Sequence, residues 1–427
     1  MNAEAPSSAN YLRIAKETEA NLRDHVLAQW FPRAVDTTRG GFNENFGEDW
    51  TPGASQTRSL VYQSRLTWIS AKAAERYPAE RTKYIGFSRH GLAFLMDHMW
   101  DAARGGFYWS VEDATNPQAV KQVYGIAFAM YASAANYEAT RDHAALELAK
   151  ETFGWLESHA HDPANGGYFE ALDRDGTPIL GVGGPPTAKP FPRKSGTDAI
   201  GAAFGQKSMN THIHLLEALT ELYGVWRDPL VAKRLREVFQ IVRDKVVDAG
   251  GYQHMFFSPA WQPAPGEDSY GHDIEAAYLL IEASTALGKP SDTRTWSVAQ
   301  RLVDHTLKVG WDEVDGGVYD SGSAETGASS AREQRKVWWV QAEGLNSLLL
   351  MRERFGRKTN RYWEAFVKEW NFISRHQVDA VHMGWYGEVS REGVARPGAP
   401  KSDGWTEAYH QGRALMNVTD RLRRLAH

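Results

Sequence analysis

The 427-residue chain has no cysteine. Disulfides, thiolate nucleophiles and cysteine-ligated metals are excluded together. It has no apolar run near the roughly 18 residues of a membrane span, and its first 25 residues are polar and carry acids, so neither a membrane helix nor a secretory leader is expected. Nor does it have a basic excess: 48 Lys and Arg stand against 53 Asp and Glu, a net charge of −5. That balance argues against nucleic acid or an anionic membrane as the partner. No GxGxxG, P-loop or nucleophile elbow occurs, and strand–helix alternation of the Rossmann kind is missing. The expectation is a cytoplasmic protein acting on a small molecule, with no redox cofactor or metal, as a monomer or weak homodimer.

What is abundant is aromatic: 16 Trp, 17 Tyr and 17 Phe. Most fill a core of this size, but flat rings also stack on the C–H faces of sugars. A second abundance is periodic. A diglycine followed by an aromatic or apolar residue recurs at Gly40-Gly41-Phe42, Gly105-Gly106-Phe107, Gly166-Gly167-Tyr168, Gly250-Gly251-Tyr252 and Gly316-Gly317-Val318, with a degenerate sixth copy at Met383-Gly384-Trp385. The separations are 65, 61, 84, 66 and 67 residues. An Asp stands one to four residues ahead of each copy: Asp36, Asp101, Asp162, Asp248, Asp312 or Asp315, and Asp379. Asp and Gly supply turn chemistry. Between the turns the spacing is helical, as over Tyr62 to Arg76, Tyr124 to Tyr137 and His212 to Trp226. A unit of about 65 residues holds two helices of ordinary length. Six such hairpins predict an all-α, single-domain (α/α)6 toroid over residues 1–427, with a flexible N-terminus to about residue 10. The diglycine turns are expected at one end of the ring. Two long connections, 174–208 and 320–335, are expected on the opposite rim.

Polar residues cluster where the inner helices should begin: Asn210 with His214, His272 with Glu275, Trp339 with Glu343, and Trp405 through His410 to Arg413. The i, i+3 and i, i+4 spacings put each pair on one helix face. His212 and His214 are two apart and cannot hold one ion from a regular helix. Paired histidines suit proton transfer at carbon, since imidazole works as base and then acid near neutrality.

These clusters resemble the N-acylglucosamine 2-epimerase superfamily, and within it the cellobiose and mannose 2-epimerase group. The matching stretches are Gln63 to Trp68, Tyr124 to Phe128, Asn210 to His214, Gly271 to Ala276, Trp338 to Glu343, and Trp405 to Arg413, covering the chain from about residue 20 onward. The resemblance implies an (α/α)6 barrel and a sugar 2-epimerase. It implies His272 and His410 as the two acid/base groups at carbon 2, and His214 as the group assisting ring opening. It also implies Arg65, Tyr124, Asn210, Glu275, Glu343, Trp339 and Trp405 as substrate contacts, with Glu275 as the partner of His272. The last motif departs from the family's usual Lys after Trp and Pro before Tyr-His; Thr406 and Ala408 stand there. Monosaccharide and β-1,4 disaccharide substrates therefore both stay open. A mannose–fructose isomerase is the alternative reading. A glycoside hydrolase working through Glu275 and Glu343, or a non-catalytic sugar-binding protein, is further off.

Overall fold

The computed structural model describes residues 5–112, 116–117, 120–184, 191–330 and 332–427. Twelve helices form six hairpins among them. They are α1 (Ser8–Asn21), α2 (Leu60–Arg76), α3 (Arg81–Phe94), α4 (Val123–Thr140), α5 (His143–His159), α6 (Met209–Val225), α7 (Pro229–Ile241), α8 (Tyr270–Ala286), α9 (Thr293–Val309), α10 (Trp338–Phe355), α11 (Arg361–Phe372) and α12 (Tyr409–Ala426). The even-numbered helices pack side by side as an inner ring, and α12 returns to α2. Each odd-numbered helix packs outside its even neighbour, α1 against α12. The ring is closed by Thr18 Oγ1 against Thr419 Oγ1 at 2.8 Å and by Ser8 Oγ donating to the Ala426 carbonyl. Helix α1 already begins at Ser8, capped by the Ser7 side chain. The expected loose N-terminus therefore does not extend to residue 10, and residues 1–4 of it lie outside the described residues.

Burial follows position. Helix α4 is buried on nearly all sides and reads as apolar, aromatic or small as far as Ala135, as a helix covered by two neighbours and an outer partner must. Side-chain caps fix the starts: Ser59 accepts from the Tyr62 amide, Ser208 from Thr211, Asp142 from Ala144 and Asp228 from Leu230.

The expected placement of the diglycine turns is overturned. They follow the C-termini of the outer helices and touch the first turns of the inner ones, so they share the end of the ring with the polar clusters. The amide of Phe42 donates to Gln63 Oε1, that of Tyr168 to His212 Nε2, that of Gln253 to Asp273 Oδ1 and that of Val318 to Gln341 Oε1. The opposite end carries the short inner-to-outer turns, such as Arg141–Asp142 and Trp226–Asp228. Each turn Asp accepts backbone amides two or three residues on; Asp312, not Asp315, plays this part in the fifth copy. Both glycines of that copy are left-handed, at φ 81° and 94°, and a Cβ on Gly317 would meet Gln341 Oε1 at 2.9 Å. Met383 takes the left-handed first position of the sixth copy, φ 64°.

Short antiparallel pairings tie neighbouring hairpins together at this end: Arg58 opposite Val111, Lys121 opposite Leu172, Lys207 opposite Phe257, Asp268 opposite Gly322, Lys336 opposite Val389, and Ser402 opposite Phe46. Among the described residues no helix is long and apolar enough to cross a membrane.

Candidate active site

The first turns of the inner helices converge on a cleft of about 480 Å³ at the centre of this end. Arg65 from α2, Tyr124 from α4, Asn210 and His214 from α6, His272 and Glu275 from α8, Trp338 and Trp339 from α10, and His410 from α12 line its floor and walls. The mouth is built by Asp320 and Arg335 of the 320–335 connection and by the stretch from Arg396 to Thr406, including Trp405. No described residue of 174–208 lines it, and residues 185–190 of that connection lie outside the described set.

Each histidine is tethered through Nδ1. His410 Nδ1 lies 2.7 Å from Glu343 Oε1, His214 Nδ1 3.0 Å from Glu217 Oε2, and His272 Nδ1 2.7 Å from Ser269 Oγ. The three Nε2 atoms hold no protein partner among the described residues. The rings of His272 and His410 both pack on Trp339, at 4.7 and 5.5 Å between centroids. Burial pushes the His272 pKa down to about 3, with His214 and Arg65 acting the same way. It also holds His410 well below the usual histidine range, Arg65 and Arg413 adding to it. Both rings are therefore neutral at pH 7 in the free protein.

Glu275 is not the partner of His272. Its Oε1 accepts from Arg413 Nη2 at 2.7 Å, while Ser269 holds the His272 ring. Arg413 is the hub of the inner site: it also donates to Glu343 Oε1 at 2.8 Å and to Glu217. Glu343 lies behind His410, fully buried, and is absent from the cleft wall. Burial pushes it up to about 8 despite Arg413. Burial also pushes Glu217 up, but Arg413 and His214 more than reverse this and hold it at about 2.

Arg65 is buried and held in place by Glu407 at 3.0 Å and by Tyr124 Oη at 3.1 Å, over the Phe128 ring. Trp405 stands 45% exposed at the mouth, its ring 6.1 Å from that of Tyr124. His212 faces away from the cleft. It accepts from the Tyr168 amide at Nε2 and so donates from Nδ1 to the Ser208 carbonyl.

Sequence reasoning missed Glu217, Ser269, Glu407 and the Arg413 hub. Glu217 and Ser269 each lie three residues from the histidine they hold, so the spacing was there to read. Glu407 meets Arg65 across 342 residues, which no local pattern signals.

Fold and site together define a closed helical toroid with a buried imidazole pair and a guanidinium at its centre. The model of the N-acylglucosamine 2-epimerase (GlcNAc 2-epimerase) family matches residues 40–182 and 194–414. Cellobiose 2-epimerase of Bacteroides fragilis is 31% identical over 409 residues, covering 95% of this chain and 98% of that one. D-mannose isomerase of Marinomonas mediterranea is 24% identical over 437 residues, covering 96% and 98%. The structure of cellobiose 2-epimerase from Spirochaeta thermophila superimposes with a TM-score of 0.86 at 29% identity, covering 98% of this chain and 99% of that one. The chain belongs to the N-acylglucosamine 2-epimerase family. It is a carbohydrate epimerase, an isomerase by reaction class.

Proposed function

We propose that the protein interconverts the glucose and mannose configurations at carbon 2 of a free reducing sugar, either a β-1,4 disaccharide of the cellobiose type or mannose itself. The observation that carries this reading is the pair His272 and His410, both on Trp339, each tethered at Nδ1 and free at Nε2. His214 assists opening of the sugar ring. One of the pair, as neutral imidazole, takes the carbon-2 proton of the open-chain aldose. The electron pair left behind moves toward carbon 1, and the carbonyl oxygen becomes an enediolate oxygen beside Arg65. The other imidazole returns a proton to the opposite face, and the aldehyde re-forms with carbon 2 inverted. No electron leaves the sugar.

Two neutral rings do not by themselves supply an acid. Glu343, protonated below about pH 8, stands at Nδ1 of His410. As His410 gives its Nε2 proton to carbon, Glu343 replaces it at Nδ1. His410 is thus the donor for one direction and His272 the base. Asn210, Tyr124, Trp405 and Glu275 contact sugar oxygens or faces.

The similarity to D-mannose isomerase supports a second reading: reprotonation at carbon 1 instead of carbon 2 gives a ketose. Proton NMR in deuterated water, with cellobiose and separately with mannose, decides. Glucosyl-mannose or glucose carrying deuterium at carbon 2 is the expected product, lost in His272→Ala and in His410→Ala. Fructose alone from mannose moves the assignment to the isomerase, and free glucose from cellobiose to a hydrolase.

A further inference from the structure

In five of the six hairpins, a buried basic side chain closes the diglycine turn. Arg58 reaches Asp36 Oδ2 at 2.7 Å, Lys121 reaches Asp101 at 3.3 Å, Lys207 reaches Asp162 at 2.7 Å and Lys336 reaches Asp312 at 3.1 Å, while Lys401 pairs with Asp379. The first four of these residues occupy one position, two residues ahead of an inner helix and paired across to the next hairpin. In the remaining hairpin that position is Asp268, opposite Gly322 and two residues ahead of α8. A cation has been replaced by an anion.

Around Asp268 the basic partner is an imidazole and not a lysine or arginine. Asp273 on α8 and His305 on α9 join it, and one donor atom from each lies within 4.8 Å of the other two. Asp268 is 2% exposed, Asp273 0% and His305 8%. His305 Nε2 is 2.7 Å from Asp268 Oδ2. Asp268 Oδ1 and Asp273 Oδ2 are fully buried with no hydrogen-bond partner. Among the described residues neither carboxylate is ion-paired to a lysine or arginine. The contrast lies in the active site, where a similar group of Glu275, Glu343 and His410 has the Arg413 guanidinium in its midst. Two adjoining buried carboxylates without a counter-charge are costly.

The geometry points to a divalent metal site formed by Asp268, Asp273 and His305, in which the ion takes the place of the lysine that the other hairpins carry. Donors on a shell of about 2.1 Å radius lie at most ~4.2 Å apart, so the three side chains close on the ion to complete the site. Two carboxylate oxygens and one imidazole nitrogen suit a transition ion of the Mn²⁺ or Zn²⁺ kind better than Ca²⁺ or Mg²⁺. Remaining positions would be water, from a cavity beside the cluster lined by Tyr252, His254, Glu267 and Ser323; the Tyr252 ring is 5.5 Å from that of His305. The site is structural. It holds the start of α8, where Gln253, the residue whose amide Asp273 accepts, also donates to the His272 carbonyl.

The test uses the full chain stripped with a chelator and then titrated calorimetrically with MnCl₂ and, separately, ZnCl₂, with Tm read alongside. The expected result is one saturable site for at least one of the two ions and a Tm raised by several degrees. Both should be lost in Asp268→Asn and in His305→Gln. Asp273→Asn, isosteric and relieved of one buried charge, is the third variant should either of these fail to fold, and its circular dichroism and turnover report folding. Absence of saturable binding of either ion overturns the inference, as does a stoichiometric ion that survives in the variants. A proton shared by the two carboxyls would then fill the place.

Discussion

Glu343 offers a single oxygen to both the His410 ring and Arg413, and its other oxygen has no partner. A carboxyl so placed is a reserve of one proton at neutral pH, since burial pushes it up to about 8. The sign follows: the acid form is present below about 8 and is lost as pH rises through it. Under the proposed mechanism kcat/KM of the wild type should therefore fall above about pH 8. Glu343→Gln keeps an acceptor at that position for Arg413 and for an Nδ1–H but has no proton to lend. It should lower kcat by about 10²-fold, the scale of general acid help, with KM little changed, and it should lack the alkaline fall of kcat/KM. A variant with wild-type kcat and the same alkaline fall would remove Glu343 from the proton path. Unchanged circular dichroism separates this from misfolding. Glu275 carries no such expectation toward His272, because Ser269 holds that ring.

At the scale of the helical hairpin, the turn and the inner helix are joined by the buried basic residue between them. Lys207 donates to Asp162, to the Gly166 carbonyl and to the Pro259 carbonyl of the next hairpin, with 1% of its side chain exposed. One ammonium thus locks a turn, a strand and a neighbour. Lys207→Met removes the charge while keeping most of the stem volume, and strands Asp162. Breaking one side of a buried pair costs about 3–5 kcal/mol, read as a lower urea midpoint at unchanged slope. Lys150→Met, whose pair with Glu147 is on the surface, should cost less than about 1 kcal/mol. Equal losses in the two variants would show that the buried pairs do not hold the hairpins. This contact was invisible in the sequence. The Asp and the diglycine are local and announce a turn, but the lysine that completes it comes from 45 residues away in the third copy.

For the whole molecule, the toroid was legible because a closed ring repeats one local rule six times: a turn Asp, a left-handed glycine, an apolar residue and an apolar helix. Most of the candidate site residues could be picked out because they stand in the first two turns of an inner helix, Trp405 lying just ahead of α12. Which end those turns occupy could not be, since that depends on which helix of each hairpin faces inward, and the ring alone decides it. The same ring buries carboxyls at the turn end that burial holds protonated even where a cation is near, Arg58 for Glu44 and Lys336 for Glu369. Glu44 accepts from Ser59 and Gln63, and Glu170 from Ser208 and Thr211. Glu369 has no hydrogen-bond partner for either oxygen. Burial pushes each of the three up to about 8. In the folded chain they keep protons that the unfolded chain loses near 4.5, so the stability they contribute is complete below about 4.5 and is lost as pH rises toward 8. Asp312, Asp379 and Glu237 work the other way. Burial pushes each up, but Arg391 for Asp312, Lys401 for Asp379 and His161 for Glu237 outweigh it and hold all three at about 2. Their contribution is complete above about 4.5 and is lost as pH falls toward 2. His272, His410 and His212, held low by burial, add stability as pH rises to about 6.5 and offset the carboxyls over that range, so Tm at constant ionic strength should fall chiefly between pH 6.5 and 8. Glu369→Gln, which has no proton to lose, should flatten that fall. A Tm that stays level or climbs between pH 6.5 and 8 would mean that these carboxyls ionise in the folded ring as freely as in the unfolded chain.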